Sequence, residues 1–552
     1  MIRGHPREWH RWQASLWPVL SILLILTVTG ARATAARAPA VSRPAASGGA
    51  QVYTTTVSIL TYSFADYLTE RTNETFNITY PVLDWTAYEA SSPITTTHDY
   101  ELVVLENDYL KVTLLPELGG RVYQIIDKAT GHNQLYQNPV IKPTHWGPPE
   151  QGWWLSVGGI EWCLPVEEHG YEWGIPWAYT VQQASDGVTV TVRDSDRSDR
   201  LRASVAVYLP ADRDYVVLTP RIENPTSHPI DFKFWLNAAI APGAQNKPTA
   251  GLKFLFNAPE MTVHSTGDTR LPGAYPTMPA GPDYRFTWPE YQGVDYAHLR
   301  NWTQWLGFFE YPQAPRGTIG VYDETQDEGL VRVFPPEQVP GTKGFAMGWS
   351  EPLDWHIWTD QESGGVELHG GVAPTFWDTA RLEAGATLSW REVWYPVHGL
   401  GDVTEASEEA ALSLSKSANT LTWALQPTRA WEADTTEFWV WERATCQPLG
   451  HWVLAAVNPD GVTSESLDVG SRTMDELAVA WVDDAHRVLV AYGPTDCVDF
   501  APPAPHLGYG INVRFPERIP TLVTPLGFEW VKLWEEYGSL PDDPLPQKVL
   551  YN

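Results

Sequence analysis

From residue 51 to about residue 400, short apolar runs alternate with polar positions, and almost no stretch carries helical spacing. Val188-Thr189-Val190-Thr191-Val192 alternates strictly, and residues 201–209 and 215–222 do so more loosely. A period of two puts successive side chains on opposite faces of a strand. Residues 100–105 and 110–115 are short, apolar and bounded by turn formers. Gly119-Gly120, Asp186-Gly187 and Asn224-Pro225 punctuate the runs. The pattern predicts a mainly β protein whose main body, residues 51–403, is a large antiparallel sandwich.

The pattern changes twice after that. Residues 404–417 read as a bridging helix, with Thr404 as its N-cap and Ser407 and Glu408 in the first turn. Residues 418–500 return to short strands and predict a small β-sandwich. Pro502-Pro503-Ala504-Pro505 is a linker. Beyond it, residues 506–513 read as a strand and residues 525–537 as a helix with Phe528, Val531 and Trp534 on one face. Residues 548–551 read as a second strand. Strand–helix–strand is a partial parallel unit that cannot bury its own faces. Residues 505–552 are therefore expected to begin a truncated α/β, barrel-like domain, the rest of which would be a partner in cis.

The first residues carry an export pattern. Arg3, Arg7 and Arg11 precede an apolar stretch over residues 16–28, and small residues follow from Gly30 to Ala36. Residues 1–36 are expected to be a signal peptide or an N-terminal membrane anchor, and residues 37–50, rich in Ala, Pro, Ser and Gly, a flexible linker. Either reading puts the remainder outside the cytoplasm, secreted or anchored through its N-terminus alone. There are three cysteines: Cys446 and Cys497 lie in one segment and can pair, whereas Cys163 sits among aromatic residues as a small buried hydrophobe.

Composition narrows the ligand. Lys plus Arg is 37 and Asp plus Glu is 67, a formal charge of −30. Such a polyanion repels nucleic acid, anionic lipid and anionic polysaccharide, and leaves neutral or cationic ligands open, neutral carbohydrate among them. Trp, at 28 residues, outnumbers Phe, at 16. Indole serves core packing and sugar stacking alike. No phosphate-binding glycine loop, serine elbow or zinc spacing occurs, so no cofactor or metal is expected.

One set of motifs carries a resemblance. It runs from Glu106-Asn107-Asp108-Tyr109 through Pro116-Glu117-Leu118-Gly119-Gly120-Arg121-Val122-Tyr123, Asp127-Lys128-Ala129-Thr130-Gly131 and Gln137-Asn138-Pro139 to Gly158-Gly159-Ile160-Glu161-Trp162. It closes with Val366-Glu367-Leu368-His369-Gly370-Gly371 and Ser389-Trp390-Arg391-Glu392-Val393-Trp394. Over roughly residues 80–425 the chain resembles the family called domain of unknown function 5107, itself similar to the galactose mutarotase-like β-supersandwich. That resemblance implies a concave sheet that holds a sugar. The terminal unit looks like the start of a glycoside-hydrolase-type barrel.

Chemistry on a sugar needs an acid and a base facing one centre. Glu161, beside Trp162 and after two glycines, is one candidate; its alternative is a strand carboxylate capping a glycine turn. Glu392 lies between Trp390 and Trp394, all on one strand face. If buried it needs a partner, either an arginine or a ligand; the mutarotase-like pattern, whose base is a late Glu, favours function. His369, before Gly370-Gly371, and His169, after Glu167-Glu168, are the candidate proton partners. Arg121 either donates to sugar hydroxyls or holds a carboxylate. Asn237 stands near where the mutarotase pattern has a histidine, a departure from that chemistry. Trp153, Trp154, Trp162, Trp173 and Trp177 crowd one loop-rich stretch, as stacking platforms or as a hydrophobic cluster under a loop. Three readings follow: an aldose epimerase-like or glycoside hydrolase-like enzyme, a non-catalytic glycan-binding module, or a structural cell-surface β protein.

Overall fold

The strictly alternating run forms the strand Gly187–Arg193, with Val188, Val190 and Val192 fully buried and the threonines between them half-buried. It pairs antiparallel with Arg202–Pro210, which pairs in turn with Val216–Glu223. These strands belong to a 9-stranded sheet that also contains Glu328–Val333 and Glu392–His398. The computed structural model describes residues 49–276, 282–498, 511–513 and 531–533. The expected signal or anchor, and nearly all of the linker, lie outside these residues.

A 12-stranded sheet packs against the first. Its middle strands run Gly341–Ala346, Val366–Gly371, Trp235–Ile240, Gly159–Cys163, Arg121–Asp127 and Leu110–Leu115, each hydrogen-bonded to the next. Valines of the smaller sheet and Val112, Leu114, Ile160, Trp162, Leu236 and Leu368 of the larger one share a single buried core. Burial of this continuous apolar layer drives the two sheets together. The other face of the 12-stranded sheet is left for polar groups at its centre.

A second sandwich follows. One four-stranded sheet runs Glu405–Ala406, Ala410–Ser417, Thr420–Pro427, Thr463–Asp468, and the other Gln447–Val453, Thr436–Glu442, Leu477–Asp483, Val488–Tyr492. The bridging helix expected over residues 404–417 is therefore replaced by strands. Ala410–Ser417 pairs with Thr420–Pro427 around a two-residue turn at Ala418-Asn419. Ala410 and Leu412 enter the core of the small sandwich, while Ala411 packs on the large one against Tyr395 and Val397. Both faces find partners as a strand, and this non-local burial overrides the helix propensity of Ala and Glu. A disulfide joins Cys446 and Cys497, and Cys163 is free and buried.

The chain end also departs from expectation. Val531–Leu533, expected inside a helix over residues 525–537, is a strand that pairs parallel with Ile511–Val513. The hydrogen bonds of this pairing run across strands rather than locally. The rest of that expected helix, and the strand expected at residues 548–551, lie outside the described residues.

Candidate functional site

Four adjacent strands of the large sheet assemble a polar row. Glu161 stands opposite Asn237, Asn237 opposite His369, and His369 opposite Lys343. In-register neighbours across antiparallel strands lie about 5 Å apart, so the four side chains form one line. The adjacent row on the same face is Gly159, Ala239, Glu367 and Phe345. Gly159 has φ +76°, and a Cβ there would stand 2.3 Å from the Val122 carbonyl oxygen. Glycine therefore keeps the strand low beside Glu161.

A loop folds back over this row. The Tyr171 N–H donates to the Leu164 carbonyl at 2.9 Å, so residues 164–171 form a closed turn. Glu168 is held at φ +49°, a left-handed conformation costly for a non-glycine residue. The turn brings His169 Nδ1 to 2.5 Å from Glu161 Oε1. Trp154 stacks on the His169 ring at 3.8 Å between centroids and donates Nε1–H to Glu161 Oε2 at 3.3 Å. Burial works against charge on His169, but Glu161 outweighs it, helped by Glu367 and Glu168, and holds the imidazole above its ordinary pKa.

A second carboxylate–histidine pair sits across Asn237. His369 Nε2 lies 2.9 Å from Glu367 Oε2. Here burial and the nearby Lys343 ammonium prevail, and the His369 pKa falls to about 4. His264 is likewise lowered to about 4 by burial and Lys343. Burial opposes ionisation of Glu367, yet the His369 hydrogen bond and the Lys343 charge hold its carboxyl at about 2. Glu168 is also desolvated but is kept below the ordinary carboxylate range by Lys343 and His264. Lys343 Nζ stands 3.7 Å from Glu168 Oε1 and 4.5 Å from the Phe376 ring centre. The pocket thus holds one histidine poised to carry a proton and two poised to lack one. Asn237 Oδ1 and His369 Nδ1 are buried with no partner inside the protein.

Glu161, His169, His369, Asn237, Arg121 and Trp154 all border this one pocket. The Arg121 guanidinium is engaged by the protein's own backbone. Its Nε donates to Leu118 O at 2.8 Å, Nη1 to Gly158 O at 3.0 Å and Nη2 to Trp173 O at 2.9 Å. The same Nη2 lies 3.4 Å from Glu161 Oε2, so the guanidinium ties three backbone segments beneath that carboxylate.

Glu392 is not brought together with Glu161. It lies in the 9-stranded sheet, fully buried, 2.8 Å from Arg332 Nη2. Trp390 and Trp394 donate their indole N–H groups to it at 3.1 and 2.8 Å. The partner that burial demanded is an arginine, and Glu392 belongs to the core.

The tryptophan cluster is also core. Trp153, Trp162, Trp173 and Trp177 are at most 3% exposed. Trp153 and Trp173 meet edge to face at 4.7 Å and Trp162 donates to Gly120 O. Of the five tryptophans of this stretch, Trp154 alone reaches the pocket.

The sequence reading passed over Glu367, Glu168, His264 and Lys343. Glu367 was within reach, because two residues before His369 on a strand is the same face. Lys343 is a lone charge in an otherwise uncharged strand, and only the pairing of Gly341–Ala346 with Val366–Gly371 puts it beside His369. Among the described residues no group of three or more His, Cys, Asp or Glu is arranged to hold a metal ion.

Comparison with known proteins bears on the fold. A TPR-domain containing protein from Parabacteroides distasonis aligns with 64% of this chain at 21% identity and TM-score 0.52. The chain covers 56% of that protein's length, and the likeness is one of fold. A galactose mutarotase related enzyme from Lactobacillus acidophilus aligns with 54% of this chain and 97% of its own, at 9% identity and TM-score 0.37. A galactose mutarotase-like protein from Clostridium acetobutylicum aligns with 54% of this chain and 96% of its own, at 9% identity and TM-score 0.35. The described chain is mainly β, built around a 12-stranded and a 9-stranded sheet. With residues 75–387 matching its family profile, more than half of the sequence, the chain belongs to the family described as domain of unknown function (DUF5107).

Proposed function

We propose that the protein binds a neutral sugar on the polar face of its 12-stranded sheet and moves protons at the anomeric centre. One observation carries this reading: two carboxylate–histidine pairs flank Asn237, and their histidines are shifted in opposite directions. Groups whose environments drive their pKa values apart divide into acid and base. His169, held protonated by Glu161, is the acid. Its Nδ1 is engaged by Glu161, which leaves Nε2–H to donate to the sugar ring oxygen. Glu367 is the base. Its Oε2 is held by His369, and Oε1 takes the proton of the anomeric hydroxyl. The C1–ring oxygen bond then breaks to give the open aldehyde. Closure on the other face returns both protons and yields the other anomer. Asn237 Oδ1 and His369 Nδ1, unpaired within the protein, are acceptors that sugar hydroxyls satisfy.

We further propose that this takes place outside the cytoplasm. The support is the export pattern of residues 1–36 and the Cys446–Cys497 disulfide, a bond favoured in oxidising compartments. Fractionation of the source cell tests it, and a cytoplasmic pool alone would overturn it.

Thermal-shift titration with neutral monosaccharides tests the binding step, since a ligand at about 100 times its Kd stabilises by about 2.7 kcal/mol. A sugar that raises Tm in the wild type but not in Glu367→Gln supports the reading. A folded protein whose Tm no neutral saccharide moves contradicts it.

A further inference from the structure

The acid–base pocket does not end at its own walls. Trp146 borders it, 43% exposed, with its ring 5.7 Å from that of Trp358. Trp358 directly follows the short 3-10 turn Trp355–Ile357, which Asp354 caps by accepting from the His356 N–H. Trp355 lines a second recess together with Trp349, Pro352 and Leu353. Met347 and Gly365 line both recesses. The Tyr136 hydroxyl of the first and the Ser363 hydroxyl of the second are 3.0 Å apart. The two recesses therefore adjoin along Met347 and Gly365, and they are taken together as one groove beside the Glu161–His369 row.

The exposed indoles single this groove out. The chain has 28 tryptophans, yet among the described residues only Trp146 and Trp349 stand among the exposed large hydrophobic side chains. Both border this groove. Trp349, 38% exposed, is not a loose tip: its N–H donates to Trp302 O at 3.1 Å and the next residues are tied to the same segment. An exposed indole on a backbone held in place suits the C–H face of a pyranose. An apolar peptide would find a floor of charged side chains at one end, and a polyanion would meet a chain of net charge −30.

We propose that the groove is an oligosaccharide site, with the end sugar over the Glu161–His369 row and the following units stacked on Trp146 and then Trp349. This rests on the sugar reading above and extends it: the preferred ligand is a neutral chain of at least three units, not a free monosaccharide.

Calorimetric titration of the full chain tests it. The probes are D-glucose, D-galactose, D-mannose and D-xylose and the di- and trisaccharides of each, in α- and β-linked forms. In the series that binds, Kd is expected to fall roughly tenfold or more from mono- to trisaccharide. Trp349→Ala should erase most of that gain and leave the monosaccharide Kd unchanged, and Trp349→Phe should retain part of it. Trisaccharides that bind no tighter than their monosaccharide would overturn this inference and leave the sugar site standing. So would a Trp349→Ala variant that weakens both lengths equally. A folded protein that binds no saccharide of any length would overturn both readings together.

Discussion

Glu161 Oε1 and His169 Nδ1 lie 2.5 Å apart because the chain between them turns back on itself at residues 164–171. Glu161 is fixed from below by Arg121 and from the side by Trp154, and His169 is stacked on that same indole. The pair is thus held on three sides. The opposing Glu367–His369 pair is joined through one Glu367 oxygen, and both residues line the pocket. In the proposed reaction the first pair is the proton donor and the second the acceptor.

The raised pKa of His169 has a definite sign in stability. Its folded value lies above the ordinary 6.5, so its contribution is fully present below about pH 6.5 and is lost as pH rises through the folded value. Glu161→Gln removes the main cause. An NMR titration of the His169 ring should show its pKa lowered in that variant, and any alkaline limb of activity should move to lower pH with it. An unchanged His169 titration would mean that Glu161 does not hold the proton.

Lys343 sets the other side. Its charge, with burial, keeps His264 and His369 at about 4 and helps to keep Glu367 at about 2. Lys343→Met should move both histidines up from about 4 toward 6.5 and raise Glu367 toward the ordinary carboxylate range. Glu367 contributes stability above its unfolded value of about 4.5, lost as pH falls toward about 2, so the variant should also unfold at a less acid pH. Histidine titrations that match the wild type would refute this assignment.

Glu392 separates core from site. Glu392→Ala leaves Arg332 buried beside two indoles without its carboxylate and is expected to cost about 3–5 kcal/mol. Binding measured on the fraction that folds should keep wild-type affinity. A variant of unchanged stability with lost ligand binding would return Glu392 to the site.

The second sandwich makes a separate claim. The Cys446–Cys497 bond closes a loop of 51 residues, for which chain entropy predicts about 4 kcal/mol of stabilisation. Cys446→Ser should lower the unfolding midpoint of the small sandwich without changing the affinity of the pocket on the large one. A loss of sugar affinity would mean that the two sandwiches are coupled at the site.

Much of the large sandwich was readable because its strands alternate, as Val188, Val190 and Val192 do. The segment at 404–417 was not, because Ala410 and Ala411 suit a helix locally and become a strand only when two cores meet on either side of them. Local sequence brought Glu161, His169, His369 and Asn237 to notice. It could not separate Trp154, which reaches the pocket, from Trp153, which packs against Trp173. Nor could it align Lys343 with His369 or pair Glu392 with Arg332, because register between distant strands is not written in either strand alone.

The central claim is proton transfer between the two carboxylate–histidine pairs and the anomeric centre of a sugar. Exchange NMR of the α and β anomer signals of free aldoses measures it directly, with wild type, His169→Gln and Glu367→Gln compared at equal folded concentration. Faster anomer exchange is expected with the wild type for at least one neutral aldose, with a loss of about 100-fold or more of that acceleration in each variant. No acceleration for any aldose with folded wild-type protein, or acceleration that survives in either variant, would contradict it.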